Sequence, residues 1–201
     1  FRAQEGLPPD RVVNASRLFG DELEPHVFQQ FHHPDTNLIL VLSNRIKSEK
    51  SVGLADAGSF WHSDVSYKPA PAKATLLYAV EVPNAGGDTL FCDLTAAYEG
   101  LSDGLKRNLE GKYAWHDYAK ARPEMFTIGG VQRVPECRHP CVRINPLSGR
   151  KAVYMNPAYT VRIDGMTKDE SDALMAEVFA HCLQDTYRMR YKWRAGDMVV
   201  W

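Results

Sequence analysis

Phe60-Trp61-His62-Ser63-Asp64-Val65-Ser66 is the stretch on which the reading turns, because it sets an imidazole and a carboxylate two positions apart among strand-forming residues. On a β-strand alternate side chains share a face, so His62 and Asp64 are expected to project together and could grip one cation. A neutral nitrogen plus a charged oxygen suits a divalent first-row metal. With a second, distant His, the set is that of a non-haem Fe(II) site, whose remaining positions stay open. As a bare pattern His-x-Asp is common, and a surface imidazole beside a turn or capping carboxylate is the ordinary explanation, so the neighbouring sequence has to carry the assignment.

Outward from this stretch the pattern is one of short apolar runs and turns. Residues 74–82 form an apolar run closed by Pro83-Asn84-Ala85-Gly86-Gly87-Asp88, a dense turn signal, before a short strand at Thr89-Leu90-Phe91. Upstream, 37–44 reads as a buried strand, and the polar, glycine-containing residues 45–58 as a loop leading to the His62 strand. Pro8-Pro9-Asp10 opens a helix stopped by Gly20. Downstream, helices are expected at 94–99 and 103–109 and a strand at 113–118, whereas 119–137 shows no period and reads as a long loop or lid. Cys141-Val142-Arg143-Ile144 and Ala152-Val153-Tyr154-Met155 read as a hairpin. Thr167-Lys168-Asp169-Glu170 is a capping box continued by the apolar stripe Leu174, Met175, Val178, Phe179 and Cys182. Tyr187, Met189, Tyr191 and Trp193 alternate with basic residues, a strand expected to turn back at Ala195-Gly196-Asp197 into the last one.

This arrangement predicts a mainly β fold with flanking helices, a double-stranded β-helix (jelly roll) core, and one domain over 1–201 whose mouth could take a metal and a small molecule. The chain starts without Met and stops within an apolar strand, so the expectation is a domain lacking its N-terminal start and a C-terminal segment. At 201 residues, 44% hydrophobic and 24% charged, the composition is that of a globular protein, and a net charge of -1 offers no field for nucleic acid or anionic membrane. No apolar run is of membrane-spanning length, and a soluble, cytoplasmic protein is the expectation. Cys92, Cys137, Cys141 and Cys182 match no zinc spacing. A Cys137/Cys141/His139 zinc site is set below the reading of four free, mostly buried thiols.

The ordered set Trp61-His62-Ser63-Asp64-Val65-Ser66, Pro69-Ala70-Pro71, Glu81-Val82-Pro83, Gly86-Gly87-Asp88-Thr89-Leu90-Phe91, Ala97-Tyr98-Glu99, His139-Pro140-Cys141-Val142-Arg143, Ser148-Gly149-Arg150-Lys151 and Tyr154-Met155-Asn156 resembles the taurine dioxygenase family of Fe(II)/2-oxoglutarate-dependent oxygenases. The resemblance implies that His62 and Asp64 are the first two iron ligands and the catalytic centre. It implies that Thr89 hydrogen-bonds a carboxylate of the co-substrate 2-oxoglutarate. It also implies that the second His ligand and an Arg partner of 2-oxoglutarate lie beyond Trp201. His116, His139 and His181 are set aside as substitutes. The implied activity is hydroxylation of a small, anionic organic substrate, using Fe(II), 2-oxoglutarate and O2 and releasing succinate and CO2, in a family whose members often form homo-oligomers, although this chain's oligomeric state is not readable from its sequence.

For substrate contacts the resemblance points to His26, Arg122 and Tyr159. The positions that hold taurine in taurine-using members correspond here to Pro25 or His26, Phe28 and Gly58, departures that argue against taurine itself. Arg122 stands where those members carry an aromatic residue, and a guanidinium fork suits a carboxylate, sulfate or phosphonate. Two other readings stay open: a cupin-like metal enzyme that does not use 2-oxoglutarate, and a non-catalytic ligand-binding jelly roll.

Overall fold

The structure, a computed structural model, describes residues 1–55, 57–123 and 134–201. The described residues are mainly β, in short strands, with a few helices, and they divide into two compact units.

The first unit comprises Phe1–Ser59, Ala72–Gly87 and Lys192–Trp201. Helix α1 (Pro9–Ser16) has proline at its first position and buries Val12. It stops short of the expected Gly20 because the backbone tightens into i→i+3 bonds, Leu18 N–H to Ala15 O and Phe19 N–H to Ser16 O, leaving Leu18 exposed. Strand β1 (His32–His33) pairs antiparallel with β2 (Thr36–Leu40), which is shorter than expected and only half-buried. The expected loop over 45–58 contains a small hairpin of β3 (Ile46–Lys47) and β4 (Lys50–Ser51). Its tip, Ser48 and Glu49, has φ of 50° and 64°, the left-handed pair that matches the twist of two-residue hairpins.

The run at 74–82 contributes only β5 (Leu76–Tyr78), paired with β13 (Met198–Val200). Gly196 enters β13 at φ 80°, where a Cβ would lie 2.8 Å from Glu5 Cγ and 3.0 Å from the Glu5 nitrogen, so only glycine fits that approach.

The second unit comprises Phe60–Pro71 and Asp88–Tyr191. Strand β6 (Thr89–Cys92) pairs antiparallel with β12 (Arg188–Tyr191). The expected turn at 195–197 forms, with Asp197 N–H on Arg194 O at 3.0 Å, and leads into β13; the strands' partners are β6 for β12 and β5 for β13. Helices α2 (Leu94–Gly100) and α3 (Asp103–Leu109) are capped by Asp93, which accepts from the Thr95 and Ala96 N–H groups, and by Ser102, which accepts from Leu105 N–H.

Strand β7 (Tyr113–His116) is the centre of a three-stranded sheet between β8 (Cys137–Pro140) and β11 (Thr160–Ile163). The expected hairpin forms from β9 (Val142–Ile144) and β10 (Lys151–Val153). Helix α4 (Lys168–Cys182) carries the complete capping box. Its buried residues Leu174, Met175, Val178 and Cys182 join Leu109, Ala114, Cys141, Val153 and Ile163 in one core.

Within the expected long loop, residues 118–120 form a 3-10 turn and β8 begins at Cys137, while 124–133 lie outside the described residues. All four cysteines are free thiols, and Cys137, Cys141 and Cys182 are buried. Among the described residues no helix is long and apolar enough to cross a membrane.

Candidate metal centre

His62 and Asp64 converge, but not on a strand. Residues 61–63 have no regular structure and 64–67 form a turn, with Ser66 N–H on Ser63 O at 3.3 Å and Lys68 N–H on Val65 O at 3.0 Å. Val65 has φ 55°, a region that β-branched residues avoid. Strand alternation is therefore not what brings the pair together. A turn curls Asp64 back towards His62.

His62 Nδ1–H donates to the Phe60 carbonyl at 2.9 Å, which directs Nε2 to Asp64 Oδ1 at 3.2 Å, both side chains being about a quarter exposed. Burial pulls the imidazole's pKa down. The Asp64 hydrogen bond, the Phe60 carbonyl and the Asp64 charge together outweigh burial and hold it above its ordinary value. A proton or a cation between these atoms is favoured.

The separation also fits a metal: two donors each about 2.1 Å from one ion at right angles stand about 3 Å apart. Among the described residues no group of three His, Cys, Asp or Glu could hold a metal ion. The other histidines of the second unit are occupied or enclosed. His116 is fully buried with Nδ1 on Ser66 Oγ at 3.2 Å, His139 Nε2 is on Lys68 O at 2.9 Å, and His181 Nε2 is on Ala97 O at 3.0 Å. Cys137 Sγ lies 3.3 Å from His139 Nε2, but burial pushes the Cys137 and Cys141 thiols up to about 11 and about 12, so both stay protonated.

An aromatic wall stands beside His62. The Phe60 and Tyr159 rings are edge-on to the imidazole at 5.6 Å and 6.1 Å, and Tyr67 and Tyr118 pack on Tyr159 at 5.0 Å and 5.8 Å. Burial first, then Tyr118 and Asp64, drive the Tyr159 phenol far above its usual value, so it stays neutral. The Arg122 guanidinium lies over the Phe60 ring at 5.5 Å from its centre.

Thus the structure brings His62, Asp64, Tyr159 and, through Phe60, Arg122 into one neighbourhood. Thr89 opens β6 opposite Tyr191 in the same unit, half-buried, with Asp88 next to it 3.3 Å from Arg190. His26 belongs to the first unit, where its Nδ1 accepts the Phe28 N–H at 3.2 Å and its carbonyl faces His32 Nε2 at 2.8 Å. Phe60, Tyr67, Tyr118 and Asn156 were not singled out as site residues from the sequence. Asn156 stood within the ordered family motifs and Phe60 directly before the Trp-His pair, but neither was given a role.

Comparison with known proteins gives a consistent result. The family model "Taurine catabolism dioxygenase TauD, TfdA family" matches residues 1–201. Pentalenolactone F synthase of Streptomyces arenae is 35% identical over 84% of this chain and 62% of its own length. The alpha-ketoglutarate-dependent 2,4-dichlorophenoxyacetate dioxygenase of Burkholderia sp. (strain RASC) is 34% identical over 100% of this chain and 71% of its own length. A crystal structure from Burkholderia xenovorans, of a protein provisionally named an alpha-ketoglutarate-dependent taurine dioxygenase, superposes with TM-score 0.80 at 28% identity over 100% of this chain and 66% of that one. The chain thus spans between about three fifths and seven tenths of the length of these three relatives.

Proposed function

The chain belongs to the taurine catabolism dioxygenase TauD, TfdA family, and from that premise we propose that it forms the greater part of an Fe(II)- and 2-oxoglutarate-dependent dioxygenase that hydroxylates a small anionic organic molecule. The observation that carries the reading is the 3.2 Å approach of His62 Nε2 to Asp64 Oδ1, a nitrogen and oxygen pair spaced to share one ion. Among the described residues no third donor stands with the pair, and the core is a double-stranded β-helix. Iron with 2-oxoglutarate and O2 supplies the oxidising power, with succinate and CO2 as co-products.

The chain's own residues do the rest. The Phe60 carbonyl fixes the tautomer of His62 so that Nε2 is the donor. Thr89 offers a hydroxyl at the start of β6 to a carboxylate of 2-oxoglutarate. Phe60 and Tyr159 wall off water beside His62. Arg122, above Phe60, takes the anionic group of the substrate. A 2,4-dichlorophenoxyacetate dioxygenase among the relatives, named for an aryloxyacetate, supports that substrate class.

Anaerobic titration of the full-length protein with Fe(II) and then 2-oxoglutarate tests the reading. A weak visible charge-transfer band is expected in the wild type and is expected to vanish in His62→Ala and Asp64→Ala. A metal-loaded protein that gives no band, and no succinate once O2 is admitted, would move the assignment to a metal enzyme that does not use 2-oxoglutarate.

A further inference from the structure

The stretch that carries Asp64 is tied to a second, distant stretch of chain by the backbone bond of Ala158 N–H to Trp61 O at 3.2 Å and, at the turn itself, by the Asn156 side chain. Asn156 Nδ2 donates to Ser66 Oγ at 3.0 Å, and Asn156 Oδ1 accepts the Tyr159 N–H at 2.9 Å. The Asn156 backbone is itself locked, its N–H on Thr160 Oγ1 at 2.9 Å and its carbonyl receiving Thr160 N–H at 3.1 Å. Ser66 and Thr160 are 0% exposed, Asn156 4% and Tyr159 6%, so water cannot replace these bonds. The Ser66 hydroxyl also meets His116 Nδ1, and the Ser66 carbonyl accepts from Cys137 Sγ at 3.5 Å. Val65, directly between Asp64 and Ser66, sits at φ 55°. A β-branched residue keeps such a conformation only where its surroundings over-determine it.

Two features of the candidate centre therefore depend on the same carboxamide. Its donor end holds the turn two residues after Asp64, and its acceptor end holds the backbone of Tyr159, whose ring stands 6.1 Å from His62. We propose that Asn156 is a positioning residue of the metal centre, acting through Ser66 to set Asp64 against His62 and through the Tyr159 amide to set the aromatic wall. The inference rests on the reading of His62 and Asp64 as metal donors. An asparagine that merely completes the 156–160 turn would leave the metal donors untouched.

The test uses the full-length protein and its Asn156→Ala, Ser66→Ala and double variants. Mn(II) affinity is read by electron paramagnetic resonance, backbone amide exchange is followed over residues 63–68 and at Tyr159, and thermal unfolding is run in parallel. Each single variant is expected to bind Mn(II) about tenfold more weakly, as partners behind metal ligands commonly do. The double variant is expected to be no weaker than the worse single, because both changes cut one link. Exchange over 63–68 is expected to quicken in all three without metal, and at Tyr159 wherever Asn156 is replaced.

A folded Asn156→Ala protein within about twofold of wild-type Mn(II) affinity, or single losses that multiply in the double variant, would overturn the proposal. A lowered unfolding temperature with unchanged affinity would overturn it equally. If Asn156→Ala does not fold, Ser66→Ala decides alone by the same two readouts. If the wild type itself binds no Mn(II), it is the metal reading that fails; faster exchange over 63–68 would still establish the clamp, and unchanged exchange would remove it.

Discussion

At the scale of single residues, the candidate centre is a balance of desolvation against pairing. His62 loses hydration, and this loss is outweighed because one ring nitrogen donates to Phe60 and the other faces Asp64. Arg122 is placed differently: its charge lies over the face of Phe60, 5.5 Å from the ring centre. A guanidinium in such a setting forms charge-assisted bonds worth about 1.5–3 kcal/mol to an anion, so Arg122→Ala is expected to raise KM roughly tenfold to a hundredfold. A binding contact of this kind would be made equally before and during the reaction, so kcat should hardly change. Steady-state kinetics on aryloxy acids, sulfonates and sulfate esters checks this, and an unchanged KM for the best substrate would remove Arg122 from the binding role.

At the scale of elements, those signalled by local chemistry form where the sequence places them. Thr167 Oγ1 accepts the Glu170 N–H and Glu170 Oε2 accepts the Thr167 N–H at 2.9 Å, so the start of α4 is set by four residues of sequence. Thr167→Ala is expected to cost about 1 kcal/mol in urea unfolding at pH 7. The Thr167 backbone N–H, and then its hydroxyl, hold the Glu170 carboxyl below its usual value. The bonus therefore exists above the unfolded carboxyl pKa and is lost as pH falls through the folded one. By contrast, β2 and β5 are shorter than their apolar runs, because strand length is set by where a partner's backbone ends. The 64–67 turn was illegible for a related reason: Val65 and its neighbours favour a strand locally, and the turn's own backbone bonds are backed by a buried bond from Asn156, far along the chain.

At the scale of the whole molecule, the three-stranded sheet encloses a histidine that must stay neutral. His116 is 0% exposed, and its Nε2 has no hydrogen-bond partner among the described residues. Burial first, then the neighbouring charges of His139 and Lys120, bring its pKa down to about 4, with the Tyr154 backbone opposing without reaching hydrogen-bond geometry. The rings of His139 and Tyr154 pack against it at 5.3 Å and 5.9 Å. The unfolded chain takes up this proton near pH 6.5 and the folded chain only near 4, so the unfolded state binds more protons in between and stability falls with pH across that window. The gap corresponds to about 3 kcal/mol, so unfolding free energy is expected to drop by about that amount between pH 7 and 4 from this group. His116→Gln should remove the acid-dependent part, and denaturant unfolding of both proteins at pH 7, 5.5 and 4 measures it. A variant with the wild-type pH slope would show that another group carries the effect.

The sequence by itself singled out His62 and Asp64 as a candidate pair, and determined the family to which the ordered motifs belong, the capped helices and the β9–β10 hairpin. Each of these is written in a few neighbouring residues or in their order. Only the tertiary structure decided how the pair meets, which strands pair with β6 and β5, that the Phe60 and Tyr159 rings flank His62, and that Asn156 links Tyr159 to Ser66. Those outcomes depend on hydrogen bonds and burial between residues as far apart as Ser66 and Asn156. Local propensity gives way there because a buried polar group left unpaired costs more than a strained turn.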